Sequence, residues 1–147
     1  MPNKFLLISI RPEFADKIFD GSKKVELRKV RPRQLEEKEW VLVYVSSPVK
    51  ALIGAFQVES VIENSTNRLW HKVREEAGVT RMQFNDYYAG ASIGYGIFLN
   101  KTKKFNRPVE LSSLKKLWKG FHPPQCFRYL SLSEVKQLEK LSKSCMV

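Results

Sequence analysis

The stretch FLLISIRPEFADKIFDGSKKVELR, residues 5–28, is the part of the sequence that decides the fold. Residues 5–11 are apolar and rich in isoleucine, which predicts a strand. Pro12 suits the first position of a helix, because the N–H that proline lacks has no partner there. Gly21 is a natural C-cap for that helix. The alternation over residues 22–30 predicts a second strand with one apolar and one charged face.

Outward from this unit, short strands and short helices are interspersed. Strands are predicted over residues 40–45, 51–62, 92–99 and 127–130, with a further short strand at 109–111. Helices are predicted over residues 69–77, 80–88 and 112–119, and Ser131 with Glu134 forms a capping box that begins a C-terminal helix. The helices are too few, and wrongly placed, for a doubly wound sheet. We therefore expect one α+β domain over residues 1–147, with about six strands in a small, partly closed mixed barrel.

The positive charge is concentrated near the C-terminus. The chain has 147 residues, with 26 Lys and Arg against 15 Asp and Glu, and a net charge of +11. Residues 101–147 alone hold 11 basic and 3 acidic side chains. A field of this sign attracts polyanions, nucleic acid first of all, although a charge that serves only solubility is the other explanation.

Other features of the chain concern its compartment. No apolar run reaches the ~20 residues of a membrane span, and no signal-peptide cleavage site follows the first apolar run. We therefore expect a cytoplasmic protein with no membrane partner. Cys126 and Cys145 are far apart in sequence and lack metal-ligand spacing, so we expect two reduced thiols.

The charged face of the second predicted strand is the most distinctive candidate site. Lys24, Glu26 and Arg28 point to one side of that strand, and Lys23 stands at its entry. On a surface strand these side chains would form ion pairs that contribute little to stability. Inside a cleft they would form a charge cluster with shifted pKa values, as functional sites often do. The alternation alone leaves both interpretations open.

A series of short motifs, in order along the chain, resembles the ASCH domain, a branch of the PUA-like superfamily. The motifs are Ile8-Ser9-Ile10-Arg11-Pro12, Ile18-Phe19-Asp20-Gly21, Lys23-x-x-Glu26-x-Arg28, the segments at 43–48 and 53–56, Phe84-x-x-Tyr87-Tyr88, Gly94-Tyr95-Gly96-Ile97 and the segment at 123–130. The resemblance implies a PUA-like mixed β-barrel decorated with short helices. It also implies RNA binding in a cleft between barrel and helix.

The resemblance also implies which residues line that cleft. Arg11, Pro12, Lys23, Glu26 and Arg28 match the lining positions, and the turn at Ser46, Ser47 and Pro48 forms another wall. Three tyrosines that adjoin the motifs are candidates to stack on a base, and exposed lysines near the C-terminus are candidates to contact phosphates. The candidate nucleic-acid-binding residues are therefore Arg11, Lys23, Lys24, Glu26, Arg28, Tyr44, Ser46, Ser47, Tyr95, Lys115, Lys116, Lys119, Arg128 and Tyr129.

The expected function is regulatory RNA binding, with one unstacked or modified nucleotide in the basic cleft and no cofactor. The family also implies enzymes as an alternative, because some relatives are metal-dependent ribonucleases and others are amidohydrolases of a modified cytidine. In an enzyme, Lys23 and Glu26 would be the catalytic residues, and a ribonuclease would take a divalent metal. The amidohydrolase pattern is not matched, since Glu26 stands where that group has a threonine and no carboxylate occurs at 80–84. A regulator that binds a partner protein is a third alternative.

Overall fold

The computed structural model describes residues 5–32 and 35–146. Within these residues the chain forms six strands and five short helices. In chain order they are β1 (Phe5–Ile10), α1 (Pro12–Asp20), β2 (Val25–Arg28), β3 (Trp40–Val45), β4 (Ala51–Ser65), α2 (Thr66–Val73), α3 (Arg81–Tyr87), β5 (Ile93–Glu110), α4 (Leu111–Leu117), β6 (Arg128–Leu130) and α5 (Leu132–Ser142). No helix of the described part has the length and apolar character needed to cross a membrane.

The six described strands form one mixed sheet in the order β2-β5-β4-β3-β1-β6. β1 runs parallel to β3, and every other neighbouring pair is antiparallel. The α+β class and the six strands are therefore confirmed. The prediction of a barrel was wrong, because β2 and β6 are the two edges of the described sheet and do not pair with each other.

A side chain, rather than a backbone ladder, connects the edge strand β2 to the end of β1. β6 pairs with β1 only over Phe5–Leu7, so the end of β1 has no partner strand on that side. Arg28, the last residue of β2, donates from Nη2 to the Ser9 carbonyl of β1 at 3.0 Å. The unclosed space beside this contact is where the candidate site lies.

The two faces of the sheet are covered by different helices. Phe5 and Leu7 of β1 belong to an apolar cluster that also includes Leu114 of α4 and Leu138 of α5. The alternate residues of β1 belong to a second cluster, which contains Ile18 of α1. A third cluster packs α2 and α3 against β2. The helices α1 and α3 therefore lie close to β2 and form the surroundings of the site.

The predicted end of α1 and the predicted starts of α3 and α5 agree with the structure because they depend on local chemistry, whereas the helix predicted over residues 69–77 is α2 and ends at Val73. Gly21 ends α1 in the left-handed region at φ 88°, and its N–H donates to the Ile18 carbonyl. Thr80 and Ser131 each form a complete capping box at the start of α3 and α5.

Strand lengths were predicted less well. The predicted strands at 92–99 and 109–111 are parts of one continuous strand, β5, which pairs along the 15-residue β4 through three irregularities. The polar stretch between them hid this continuity, because most of residues 100–108 are exposed and show no apolar alternation. At the other end of the sheet, β2 spans only four residues, fewer than predicted.

Candidate functional site

A cavity of about 400 Å³ lies between β2, the start of α1 and the helix α3. Its volume is within the range of sites that hold small molecules. Its lining residues are Ser9, Ile10, Arg11, Phe14, Lys23, Glu26, Leu27, Arg28, Val79, Gln83, Phe84, Asp86 and Tyr87. Of the predicted binding residues, Arg11, Lys23, Glu26 and Arg28 are brought together here.

Lys23 reaches the cavity because of the way in which α1 ends. After the left-handed Gly21 the chain turns back, and the Lys23 N–H donates to the Lys17 carbonyl at 2.9 Å. The Lys23 residue is only 2% exposed, and its Nζ donates to the Ala77 carbonyl. The neighbouring Lys24 is exposed and does not line the cavity. Strand β2 begins at Val25, so the predicted alternation does not extend back to Lys24.

Glu26 lies between the cationic side chains of Lys23 and Arg28. Its Oε2 is 3.0 Å from Nη2 of Arg28, and its Oε1 is 3.7 Å from Nζ of Lys23. The side chains of Glu26 and Arg28 are only 9% and 13% exposed, so water screens these charges poorly. Burial lowers the pKa of Lys23 below its ordinary value, although the carboxylate of Glu26 partly opposes that effect.

Lys23, Glu26 and Arg28 form the floor of the cavity, and Arg28 connects this floor to the rest of the fold. Besides Glu26 and the Ser9 carbonyl, it contacts the Cys126 carbonyl, at 3.5 Å from Nη1. Its Nε is buried and has no hydrogen-bond partner among the described residues. A buried donor of this kind requires an explanation, since nearly all such groups in folded proteins are paired.

Aromatic rings from two helices form the walls of the cavity. The half-buried Phe14 of α1 has the Lys23 Nζ 5.5 Å from its ring centre. Tyr87 of α3 is 37% exposed and has the Lys29 Nζ 4.8 Å from its ring centre. The adjacent Tyr88 hydroxyl donates to the Arg28 carbonyl at 3.0 Å, which fixes α3 against β2. Burial raises the pKa of both tyrosines.

Comparison with known proteins identifies the family. Residues 8–123 match the ASCH domain, which is most of the chain. The protein belongs to the ASCH domain family. A Zymomonas mobilis protein named ASCH domain-containing ribonuclease is 33% identical over 140 residues, which cover 95% of this chain and 93% of that protein.

Solved structures agree with this assignment. The crystal structure of ASCH from Zymomonas mobilis has a TM-score of 0.88 and 32% identity, and the match covers 94% of this chain and 95% of that one. The N-terminal domain of Staphylothermus marinus McrB has a TM-score of 0.59 and 12% identity over 95% of this chain and 98% of that one, so it shares the fold alone.

The three candidate tyrosines of this ASCH domain lie in different surroundings. Tyr44 is 3% exposed and packs in the apolar cluster covered by α4 and α5. Tyr95 lies opposite Arg28 in the β2–β5 ladder and is half-buried. Tyr129 of β6 is half-buried beside Phe127, with ring centres 6.3 Å apart. None of the three lines the cavity.

The turn at Ser46 and Ser47, which was predicted to form a wall of the cleft, is close to the end of β1 but does not line the cavity. The Ser46 N–H donates to the Ile10 carbonyl at 3.0 Å, and Ser46 is half-buried. Ser47 is exposed in the turn that follows β3. The structure thus places this turn next to Ile10, whereas the cavity wall opposite α1 is supplied by α3.

The basic residues near the C-terminus form a separate exposed surface. Lys115 and Lys116 lie on α4, Lys119 follows it, and all three are exposed. Arg128 is less available, because its Nη2 is 2.6 Å from Glu134 Oε2 and its guanidinium lies 5.0 Å from the Trp118 ring centre. This surface does not line the cavity, so it supplies charge at a distance from the enclosed site.

Sequence reasoning missed the contribution of α3. Gln83, Asp86 and Tyr87 line the cavity, yet none was a candidate binding residue. A signal was present, since the motif Phe84-x-x-Tyr87-Tyr88 adjoins a helix that Thr80 predicts to begin. What the sequence does not show is that this helix packs over β2, which depends on contacts between distant residues.

The donor set of the cavity does not suit a divalent cation. Both oxygens of Glu26 face cationic side chains, and Asp86 is the other carboxylate among the lining residues. Lys23 and Arg28 place a positive charge within 4 Å of each Glu26 oxygen, and these charges repel a divalent cation at this carboxylate. Across residues 5–32 and 35–146, no group of three or more His, Cys, Asp and Glu side chains is placed to hold a metal ion.

Proposed function

We propose that this ASCH domain binds RNA and takes one unstacked nucleotide into the cavity between α1, β2 and α3. The observation that carries the proposal is the polar floor of Lys23, Glu26 and Arg28, enclosed by aromatic rings. Single-stranded RNA is recognised by side chains that stack on splayed bases and hydrogen-bond to their edges. The cavity provides both kinds of group.

The charges around the cavity are compatible with a nucleotide. Arg11 is exposed at the cavity and, as the residue before α1, stands beside the positive end of the helix dipole. A phosphate at the entrance would therefore meet a cation without having to enter the buried floor. The exposed lysines of α4 supply further attraction to the RNA backbone, and such contacts provide affinity but little sequence preference.

Fluorescence anisotropy with a labelled single-stranded RNA tests this proposal. Arg11→Gln and Tyr87→Ala alter exposed lining residues, so the fold should be retained. Each is expected to weaken RNA binding at least fivefold, which is ~1 kcal/mol. The matched control for the charge change is Arg68→Gln, on an exposed part of α2 outside the cavity. Full affinity in both lining variants would show that the RNA binds elsewhere.

RNA cleavage is the second candidate, and one observation favours it. The Zymomonas mobilis relative, similar over nearly the full length of both chains, is named a ribonuclease. Hydrolysis through the 2′-hydroxyl needs a base near that group and positive charge near the phosphorus. Glu26 or Lys23 would act as the base, and Arg11 or Arg28 would stabilise the charge.

A gel assay separates cleavage from binding alone. End-labelled RNA is incubated with the protein in Mg²⁺, in Mn²⁺ and in EDTA, and Lys23→Met serves as the test variant. Cleavage that Lys23→Met abolishes supports an enzyme, and the EDTA lane reports metal dependence. If the protein binds RNA but the RNA stays intact in every lane, the result supports a binding protein without nuclease activity, as expected of a regulator.

A further inference from the structure

The floor of the cavity presents hydrogen-bonding groups in a fixed order. Glu26 is in the middle, Lys23 is on its Oε1 side and Arg28 is on its Oε2 side. A lysine and an arginine only donate, whereas an ionised carboxylate only accepts. Taken across the floor, the order is therefore donor, acceptor, donor.

Several of these groups still have unused capacity. Lys23 carries three N–H bonds, of which one is used on the Ala77 carbonyl, and its 3.7 Å separation from Glu26 Oε1 is longer than a hydrogen bond. Glu26 Oε1 therefore retains acceptor capacity. The Arg28 Nη1 carries two N–H bonds, of which one is used on the Cys126 carbonyl at 3.5 Å. A ligand that brings two acceptors with one donor between them would satisfy all three groups.

We infer that the cavity selects a base with an acceptor–donor–acceptor edge, which among the common RNA bases is uracil. Its ring N–H lies between two carbonyl oxygens, so the N–H would donate to Glu26 while the oxygens accept from Lys23 and Arg28. This inference rests on the proposed function, because it names the base that the proposed nucleotide carries. The rings of Phe14 and Tyr87 on the walls suit any base and would not select among them.

The other common bases leave part of the floor unpaired. Cytosine presents two acceptors followed by a donor, guanine presents one acceptor followed by two donors, and adenine offers a single acceptor beside its amino group. In each of these bases, at least one group either faces a floor group of the same kind, donor against donor or acceptor against acceptor, or leaves a floor group with no partner. A buried polar group that a ligand leaves unpaired is costly, and that cost is the source of selectivity in sites built to hydrogen-bond their ligand.

Calorimetric titration with four nucleoside monophosphates at one salt concentration tests the inference. Uridine monophosphate should bind at least tenfold more tightly than the cytidine, guanosine and adenosine forms. The 3-methyluridine monophosphate keeps both carbonyl oxygens but lacks the ring N–H, so it should also lose at least tenfold. Equal affinity for all four common nucleotides would overturn the inference and leave nucleotide binding intact. No binding of any nucleotide would overturn both proposals.

The variant Glu26→Gln provides a second test from the protein side. Glutamine keeps one oxygen but replaces the other with a donor, so the advantage of uridine over cytidine monophosphate should fall to less than threefold. The matched control, Glu59→Gln, should keep the full advantage. Circular dichroism establishes that each variant is folded. A folded Glu26→Gln protein with unchanged selectivity would contradict the role of Glu26 as the acceptor.

Discussion

Replacing Glu26 with glutamine should destabilise the fold as well as alter the site. Glu26 is a mostly buried carboxylate between two cations, at 3.0 Å from Arg28 and 3.7 Å from Lys23. Hydrogen bonds that involve a charged group contribute about 1.5–3 kcal/mol to stability. Removing one partner of a buried ion pair costs about 3–5 kcal/mol, because the other charge is left unpaired. Glutamine still accepts from Arg28, so we expect a loss of about 1.5–3 kcal/mol.

Urea unfolding followed by circular dichroism measures this loss. For a chain of this size the expected change lowers Tm by roughly 3–12 °C. Glu59→Gln removes the same charge from an exposed strand position and should change stability by less than about 0.5 kcal/mol.

A double-mutant cycle identifies the cause of the destabilisation. Adding Lys23→Met to Glu26→Gln removes a cation that has lost its partner, so it should cost less than Lys23→Met costs in the wild-type protein. A Glu26→Gln protein as stable as the wild type, or additive costs in the cycle, would refute the argument that these charges depend on one another.

Four further predictions follow from other parts of the structure. Changing the exposed Lys115, Lys116 and Lys119 to Glu should weaken binding to all RNA sequences about equally and flatten the salt dependence of that binding. The same charge change at the exposed Arg68, Lys72 and Arg74 should have a smaller effect on RNA binding. Anisotropy across a salt series measures both triple variants, and equal effects would show that only the net charge of the protein matters. Burial lowers the pKa of Lys23 in the folded state, so between the folded pKa and the ordinary value of 10.5 the unfolded chain binds more protons than the folded one. The wild type should therefore gain stability relative to Lys23→Met as pH rises from neutral to about 10. Urea unfolding at neutral pH and at about pH 10 measures this gain, and its absence would contradict the lowered pKa. Gly54→Ala would bring a Cβ against the Lys103 carbonyl oxygen and within 2.8 Å of the Phe19 ring, so the free energy of unfolding measured in urea should fall by about 1–3 kcal/mol. An unchanged urea midpoint would argue against the close approach of Gly54 to these two groups. Cys126 and Cys145 are exposed and no disulfide joins them, so two thiols should react with a disulfide reagent in the native, unreduced protein, and finding none would contradict the structure.

The parts of the fold that local chemistry determines could be predicted from the sequence. Gly21 ends α1 because a left-handed residue is needed there, and Ser131 begins α5 because its side chain accepts from the Glu134 N–H. These features involve residues a few positions apart. The full length of β5 depends instead on pairing with β4, and its exposed middle section carries no apolar alternation.

The candidate site was predicted only in part for a similar reason. The charged residues Lys23, Glu26 and Arg28 were visible as a pattern, and the family resemblance assigned them to a cleft. The pattern did not show that Lys23, rather than Lys24, turns inward, because that follows from the turn after α1. The wall formed by α3 depends on the contact of Tyr88 with the Arg28 carbonyl, 60 residues away in sequence.

The most direct test of the account is to map the RNA-binding surface by NMR. A short single-stranded RNA containing uridine is titrated into the isotopically labelled protein, and the backbone amide shifts are followed. We expect the largest changes at Arg11, Phe14, residues 23–28 and residues 83–87, which surround the cavity, with smaller changes along α4. Changes confined to α4 and α5, with the amides of β2 and α3 unmoved, would contradict the claim that a nucleotide enters the cavity.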